Sequence, residues 1–351
     1  MEVIAHYLPQ FHPVPENDEW WGKGFTEWTN VAKARPLFLG HKQPHLPADL
    51  GFYDLRVPEV REAQSALAHR YGVTAFCYWH YWFAGRRLLE RPFEEVLASG
   101  RPDVPFCVAW ANQTWSGIWH GAPDRVLIEQ TYPGPEDEQA HFDYLLPAFR
   151  DDRYLRIKGR PVMVMYKPGE VPEPDRFVDT WQAMARQAGL EGLYLIAGLG
   201  ETEYPDFKND GYDAGVYYQF PFGDDRGVQL RERLIARGLY WGPKRYPYMD
   251  RLPAIPDDLV GPIFPCVYPN WDNTPRSRRG GVLCYDATPE RFGRQVRDAL
   301  AVVKELPVDE QVLFVKSWNE WAEGNYLEPD RETGHARGDV LAAELARFHR
   351  T

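Results

Sequence analysis

Val3-Ile4-Ala5-His6-Tyr7-Leu8-Pro9-Gln10-Phe11-His12-Pro13 opens the chain with an apolar run and leaves it through two prolines. The run reads as a strand buried on both faces, the kind that fills a parallel sheet. The residues just after the strand separate two α/β architectures. An open doubly wound sheet carries a glycine-rich phosphate loop after its first strand, and Leu8 to Pro13 contains no glycine. Seven more runs of the same character come later in the chain: Val73 to Tyr78, Pro105 to Trp110, Val162 to Tyr166, Tyr194 to Ala197, Gly215 to Tyr218, Ile263 to Val267 and Val312 to Val315. Helical periodicity lies between most of them, at Val57 to Tyr71, Leu88 to Ser99, Glu136 to Phe149, Asp175 to Gly189 and Pro289 to Lys304, and after the last, at Arg337 to Phe348. Eight strands alternating with helices predict a (β/α)8 TIM barrel, residues 1–351 forming a single domain. The fifth crossover, Leu199 to Asp213, is too polar and turn-rich for a good helix. Two long excursions, Leu8 to Arg56 after strand one and Pro221 to Pro262 after strand six, are the expected binding loops.

The totals exclude several classes. Acids outnumber bases by 51 to 40, a formal charge of -11, which repels a phosphate backbone, so no nucleic acid partner is expected. No window approaches the apolar length of a membrane span, and no membrane insertion is expected. The first strand begins almost at Met1, leaving no room for a signal peptide. The reading is cytoplasmic, although a trimmed secreted form would start the same way. Cys77, Cys107, Cys266 and Cys284 show no CxxC pairing and read as buried free thiols. His12, His45 and His80 lack HxH or HExxH spacing, so neither a metal nor another cofactor is expected.

Aromatic residues make up 15% of the chain, and they gather with polar partners where the strands end. In a TIM barrel the carboxyl ends of the strands hold the active site. Those ends supply Tyr7, Gln10, His12, Tyr78, His80, Trp82, Trp110, Asn112, Gln113, Trp115, Tyr166, Tyr218, Asn270, Trp271, Asp272, Trp318, Asn319 and Trp321. Aromatic faces cover the CH-rich faces of pyranose rings, and amides, imidazoles and carboxylates bind their hydroxyls. An oligo- or polysaccharide substrate is the expected partner. Core packing is the alternative for any one of these rings taken singly. Glu27 and Trp28, in the first excursion, and His45 are further candidate contacts. Arg276, Arg278 and Arg279 form a short basic cluster that reads as a solvated loop, with contact to an acidic sugar or phosphate as the alternative.

Ser317-Trp318-Asn319-Glu320-Trp321-Ala322-Glu323-Gly324 places two acids three residues apart after the last strand. Cleaving a glycosidic bond takes one acid to protonate the leaving oxygen and a second on the anomeric side. In an extended strand Glu320 and Glu323 would point to opposite faces; in a helical turn they approach within roughly 5–6 Å. The pair therefore requires the chain to curl after Glu320.

Tyr7-Leu8-Pro9-Gln10-Phe11-His12-Pro13, Glu19 to Val31, Gln43-Pro44-His45-Leu46-Pro47, Cys77 to Phe83 and Ser317 to Gly324 together resemble the WbsX-type proteins, which are related to glycoside hydrolase family 99. The resemblance covers nearly the whole chain and implies a (β/α)8 barrel. Family 99 enzymes are retaining endo-acting α-mannosidases. The resemblance implies that Glu320 takes the proton of the sugar 2-hydroxyl, giving a 1,2-anhydro intermediate, while Glu323 serves as general acid and then base. Many relatives carry Asn-Glu after the third strand where this chain has Asn112-Gln113, a change at a substrate contact or an auxiliary acid. WbsX-type proteins are often labelled glycosyltransferases of surface-polysaccharide (O-antigen) biosynthesis. This leaves three functions: a retaining glycoside hydrolase, a glycosyltransferase, and a non-catalytic carbohydrate-binding protein. No DxD motif after an apolar strand and no glycine-rich nucleotide loop supports a transferase.

Overall fold

A computed structural model describes residues 1–117, 122–200 and 204–350. Its frame is eight parallel strands: β1 (Glu2–Tyr7), β2 (Ala75–Phe83), β3 (Phe106–Trp110), β4 (Arg160–Met165), β5 (Tyr194–Leu199), β6 (Ala214–Tyr217), β7 (Ile263–Val267) and β8 (Val312–Val315). Each pairs with its sequence neighbours, and β1 also pairs with β8, Glu2 opposite Val312 and Ala5 opposite Val315. The sheet therefore closes into the barrel that the glycine-free exit from β1 predicts.

Helices Pro58–Tyr71, Arg91–Ser99, Pro135–Phe149, Pro174–Gln187 and Pro289–Glu305 fill the crossovers, and Ala336–Phe348 comes after β8. Proline stands in the first turn of the first five, where its missing N–H costs no helical bond. The helix expected from Leu88 starts instead at Arg91, because Arg86–Leu88 pairs antiparallel with the extended end of β2. The fifth crossover holds only a 3-10 turn, Pro205–Lys208, among its described residues; positions 201–203 of that stretch lie outside them.

The first excursion folds into two short helices, Pro15–Trp21 and Glu27–Lys33. The second contains a helix, Arg226–Ala236, which the sequence reading leaves as loop, capped by Asp225 accepting from the Val228 N–H at 2.7 Å. All four cysteines are free and buried. No helix among the described residues is long and apolar enough to cross a membrane.

Candidate active site

β8 ends in a barrel-mouth structure built by three short pieces of chain. Asn319–Glu320 pairs antiparallel with Asn325–Tyr326, and a 3-10 turn, Trp321–Glu323, connects them. Gly324 closes the turn at φ 64, and a Cβ there would lie 2.8 Å from the Asp272 nitrogen, so the position needs glycine for both conformation and space. The chain thus curls directly after Glu320, and both acids face one cleft of about 370 Å³.

The cleft lies at the carboxyl ends of the strands. Of the residues singled out from the sequence, Gln10, Glu27, Gln113, Trp115, Tyr166, Trp271, Glu320 and Glu323 line it. Trp79, Tyr81, Lys316, Arg276, Trp21, Phe220 and Lys167 also line it, none of them among the sequence candidates. Trp79 and Tyr81 are the inward-facing members of β2. Lys316 sits on the floor, its ammonium 5.2 Å from the ring centres of Tyr166 and Tyr218 and 5.7 Å from that of Trp79.

The other candidates lie outside the lining, and strand parity explains several of them. Tyr78, His80 and Trp82 alternate with Trp79 and Tyr81 and so face the helix layer. His80 bonds His141 through the two Nε2 atoms at 2.7 Å, and the Trp82 indole donates to Asp137 at 3.1 Å. Tyr7 donates to Gln64 at 2.6 Å, and Trp110 packs edge-on to His141. Trp318 is fully buried against Tyr71 and Phe76. Tyr218 is hydrogen-bonded to His6 below the floor, at 2.7 Å.

The remaining candidates brace the mouth. His12 bonds the Pro9 carbonyl at 3.0 Å, Trp28 donates to the Tyr53 carbonyl at 2.7 Å, and His45 packs near Tyr326. Asn112 holds the Lys167 backbone with both ends of its amide at 2.8 Å. Asn319 clamps the Leu8 N–H at 2.7 Å and the Leu8 carbonyl at 3.0 Å, tying the exit of β8 to that of β1. Asn270 is buried, and Asp272 accepts from Gln43 at 2.7 Å and from the Thr274 N–H at 2.9 Å. Trp321 stacks on Tyr326 at 3.8 Å and donates to Glu328 at 2.6 Å.

Electrostatics set the acid pair apart. Arg276, expected in a solvated loop, is largely buried in the cleft and forms ion pairs with Glu27 at 2.9 Å, with Glu320 at 3.3 Å and, more closely, with Glu323. The Trp79 indole donates to Glu320 at 3.1 Å. Burial, and then the charge of Glu323, push the Glu320 carboxyl up to about 8, against the opposing pull of Arg276 and Lys316. The two acids meet the same guanidinium, so protonating one changes the field at the other. Such a pair can hold one proton at neutral pH, which acid–base chemistry requires. Among the described residues, no group of three His, Cys, Asp or Glu side chains is placed to hold a metal.

The closed parallel barrel is shared with solved structures. A solved structure named glycoside hydrolase-like protein superposes with a TM-score of 0.62 at 13% identity, covering 98% of this chain and 93% of the other. The GH99 endo-alpha-mannosidase from Bacteroides thetaiotaomicron superposes with a TM-score of 0.58 at 14% identity, over 99% and 98%. Residues 3–340 match the family described as Glycosyltransferase WbsX, and the chain belongs to that family. The uncharacterized protein WxcX of Xanthomonas campestris pv. campestris is 39% identical over 98% of this chain. The chain spans about half the length of the curated relatives it matches, 50%.

Proposed function

We propose that the chain is a retaining glycoside hydrolase acting within an α-linked, mannose-like or bacterial surface glycan. The observation that carries this reading is the buried Glu320–Glu323 pair, one member raised into the neutral range, in a cleft walled by Trp79, Tyr81, Trp115, Tyr166 and Trp271. The superposition on a GH99 endo-alpha-mannosidase supports the choice of bond. Glu320, ionised, takes the proton of the sugar 2-hydroxyl. The freed oxygen attacks the anomeric carbon as the glycosidic C–O bond breaks, and Glu323 gives its proton to the leaving oxygen. Water then adds to the anomeric carbon as the bond from that carbon to the 2-oxygen breaks, its proton goes to Glu323, and Glu320 returns its proton to the 2-oxygen. Both steps invert, so configuration is retained, and no carboxylate need become a nucleophile.

Proton NMR of the protein with α-mannan and bacterial surface polysaccharides tests this. New anomeric signals of retained configuration, absent with Glu320→Gln and with Glu323→Gln, are expected. A folded, sugar-binding protein that cleaves no member of such a panel overturns the reading. The family description favours a second reading, transfer from an activated sugar; saturable binding of a sugar nucleotide at micromolar concentration would establish it.

A further inference from the structure

Arg276 belongs to the short helix Thr274–Ser277 just beyond β7. That helix is fixed to the turn bearing Glu323. Asp272 accepts from the Thr274 N–H at 2.9 Å and donates its own backbone N–H to the Glu323 carbonyl at 2.6 Å. The guanidinium therefore cannot drift from the acids without moving the turn, although its side chain can rotate.

Its fork meets three carboxylates from two stretches of chain: Glu27 on the first excursion, and Glu320 and Glu323 on the segment beyond β8. Three buried carboxylates around one guanidinium do not all stay ionised without a large desolvation cost, so a proton settles on the one held least. The contact distances rank them: Glu323 is gripped most closely, Glu27 lies at 2.9 Å, and Glu320 at 3.3 Å is the loosest. Glu320 also accepts from the Trp79 indole at 3.1 Å, a neutral N–H that stabilises a carboxylate less than a cation does. The charged or titratable groups facing it are Glu323, Arg276, Lys316, Glu27 and, from β2, Tyr81.

We propose that Arg276 is the positioning residue of the acid pair: gripping Glu27 and Glu323, it assigns the proton to Glu320 while the cleft is empty, and must release Glu323 before that acid can protonate a glycan. The last clause rests on the hydrolase reading; the assignment of the proton does not. Release has a ready route. The Nε–Glu27 pair can persist while the two Nη groups turn away, and the proton then passes from Glu320 to Glu323 as the leaving oxygen arrives. A lysine cannot reproduce this, because a point charge lacks the planar fork that reaches three acids at once.

The test is carboxyl carbon-13 NMR of protein labelled at glutamate, titrated without any glycan, with the Glu320 signal assigned by its loss in Glu320→Gln. The wild-type midpoint is expected near 8, the value to which burial and Glu323 raise it. Arg276→Gln should narrow or reverse the gap between the Glu320 and Glu323 midpoints, the latter assigned by its loss in Glu323→Gln, because the acid held more closely gains more when the opposite charge is lost. Arg276→Lys should narrow the gap less, and decides the matter if the glutamine variant does not fold. A gap unchanged in folded Arg276→Lys overturns the proposal. So does a wild-type titration that puts the proton on Glu323. Because no substrate is present, failure to find hydrolysis leaves this result standing, and failure here leaves the hydrolase reading standing. Where activity is measurable, the alkaline limb of kcat/KM should move with the midpoint; a merely structural role would lower the rate and leave the limb in place.

Discussion

At the scale of the residue, Glu320 is the group whose protonation links folding to chemistry. Its folded value is about 8 against an ordinary 4.5, so between those values the native state binds the proton that the unfolded chain has already lost. Unfolding free energy therefore falls as pH rises from about 4.5 to 8, and the contribution is flat outside that window. Gln at this position cannot ionise. The melting temperature of Glu320→Gln minus that of the wild type should grow as pH is raised from 5 to 8, read by calorimetry at matched ionic strength; a gap that stays constant would show that Glu320 does not titrate there. The same proton governs rate. Above about pH 8 the pair has lost the proton its acid must donate, so hydrolysis should fall tenfold per unit along the alkaline limb.

At the scale of the element, β2 shows what could be read in advance and what could not. Its apolar run, Val73 to Tyr78 in the sequence reading, declares a buried strand, and the structure carries it on through Phe83. Its parity is silent, because every residue of the strand is buried and aromatics occupy both faces. Tyr78, His80 and Trp82 look as suited to a sugar as Trp79 and Tyr81, and only the closed sheet says which set faces in. The acid pair was legible because the two acids lie three residues apart in sequence. Arg276 was not, since its three partners are separated from it by 249, 47 and 44 residues and its neighbours Arg278 and Arg279 are exposed. Glu328, which accepts from Tyr53, Gln64 and Trp321 at 2.6–2.9 Å, was hidden for the same reason. Substitutions on β2 should separate along this parity. Trp79→Phe keeps a ring in the cleft but removes the donor to Glu320; activity should drop by about tenfold or more, the worth of one bond to a charged group, with little change in melting temperature. Tyr78→Ala should do the reverse, costing roughly 3 kcal/mol or more of stability while the folded fraction keeps its turnover. Equal effects of the two on activity would put the cleft wall elsewhere.

At the scale of the whole molecule, the site depends on joining the two ends of the chain. Glu2 to Ala5 of β1 pair with Val312 to Val315 of β8, and Asn319 clamps Leu8 just beyond that seam. The acid pair lies just beyond the strand that closes the barrel, so it is held in place only once that most non-local pairing has formed. Outside the seam, helix Ala336–Phe348 packs on Pro58–Tyr71 and Pro289–Glu305. Gly338 lets it approach, for a Cβ there would run into the Tyr71 ring. Tyr71 is fully buried between that helix and Trp318, so the ring has nowhere to retreat. Gly338→Ala should therefore destabilise the protein by about 1–3 kcal/mol, the usual cost of overpacking, despite alanine's better helix propensity. Gly338 is outside the cleft lining, so kcat and KM measured well below the melting temperature should stay as in the wild type. A variant as stable as the wild type would mean that the helix can shift outward without loosening the seam. A folded variant with altered kinetics would mean that the seam transmits its packing to Glu320 and Glu323, through the chain that runs from β8 past Trp318 into the turn.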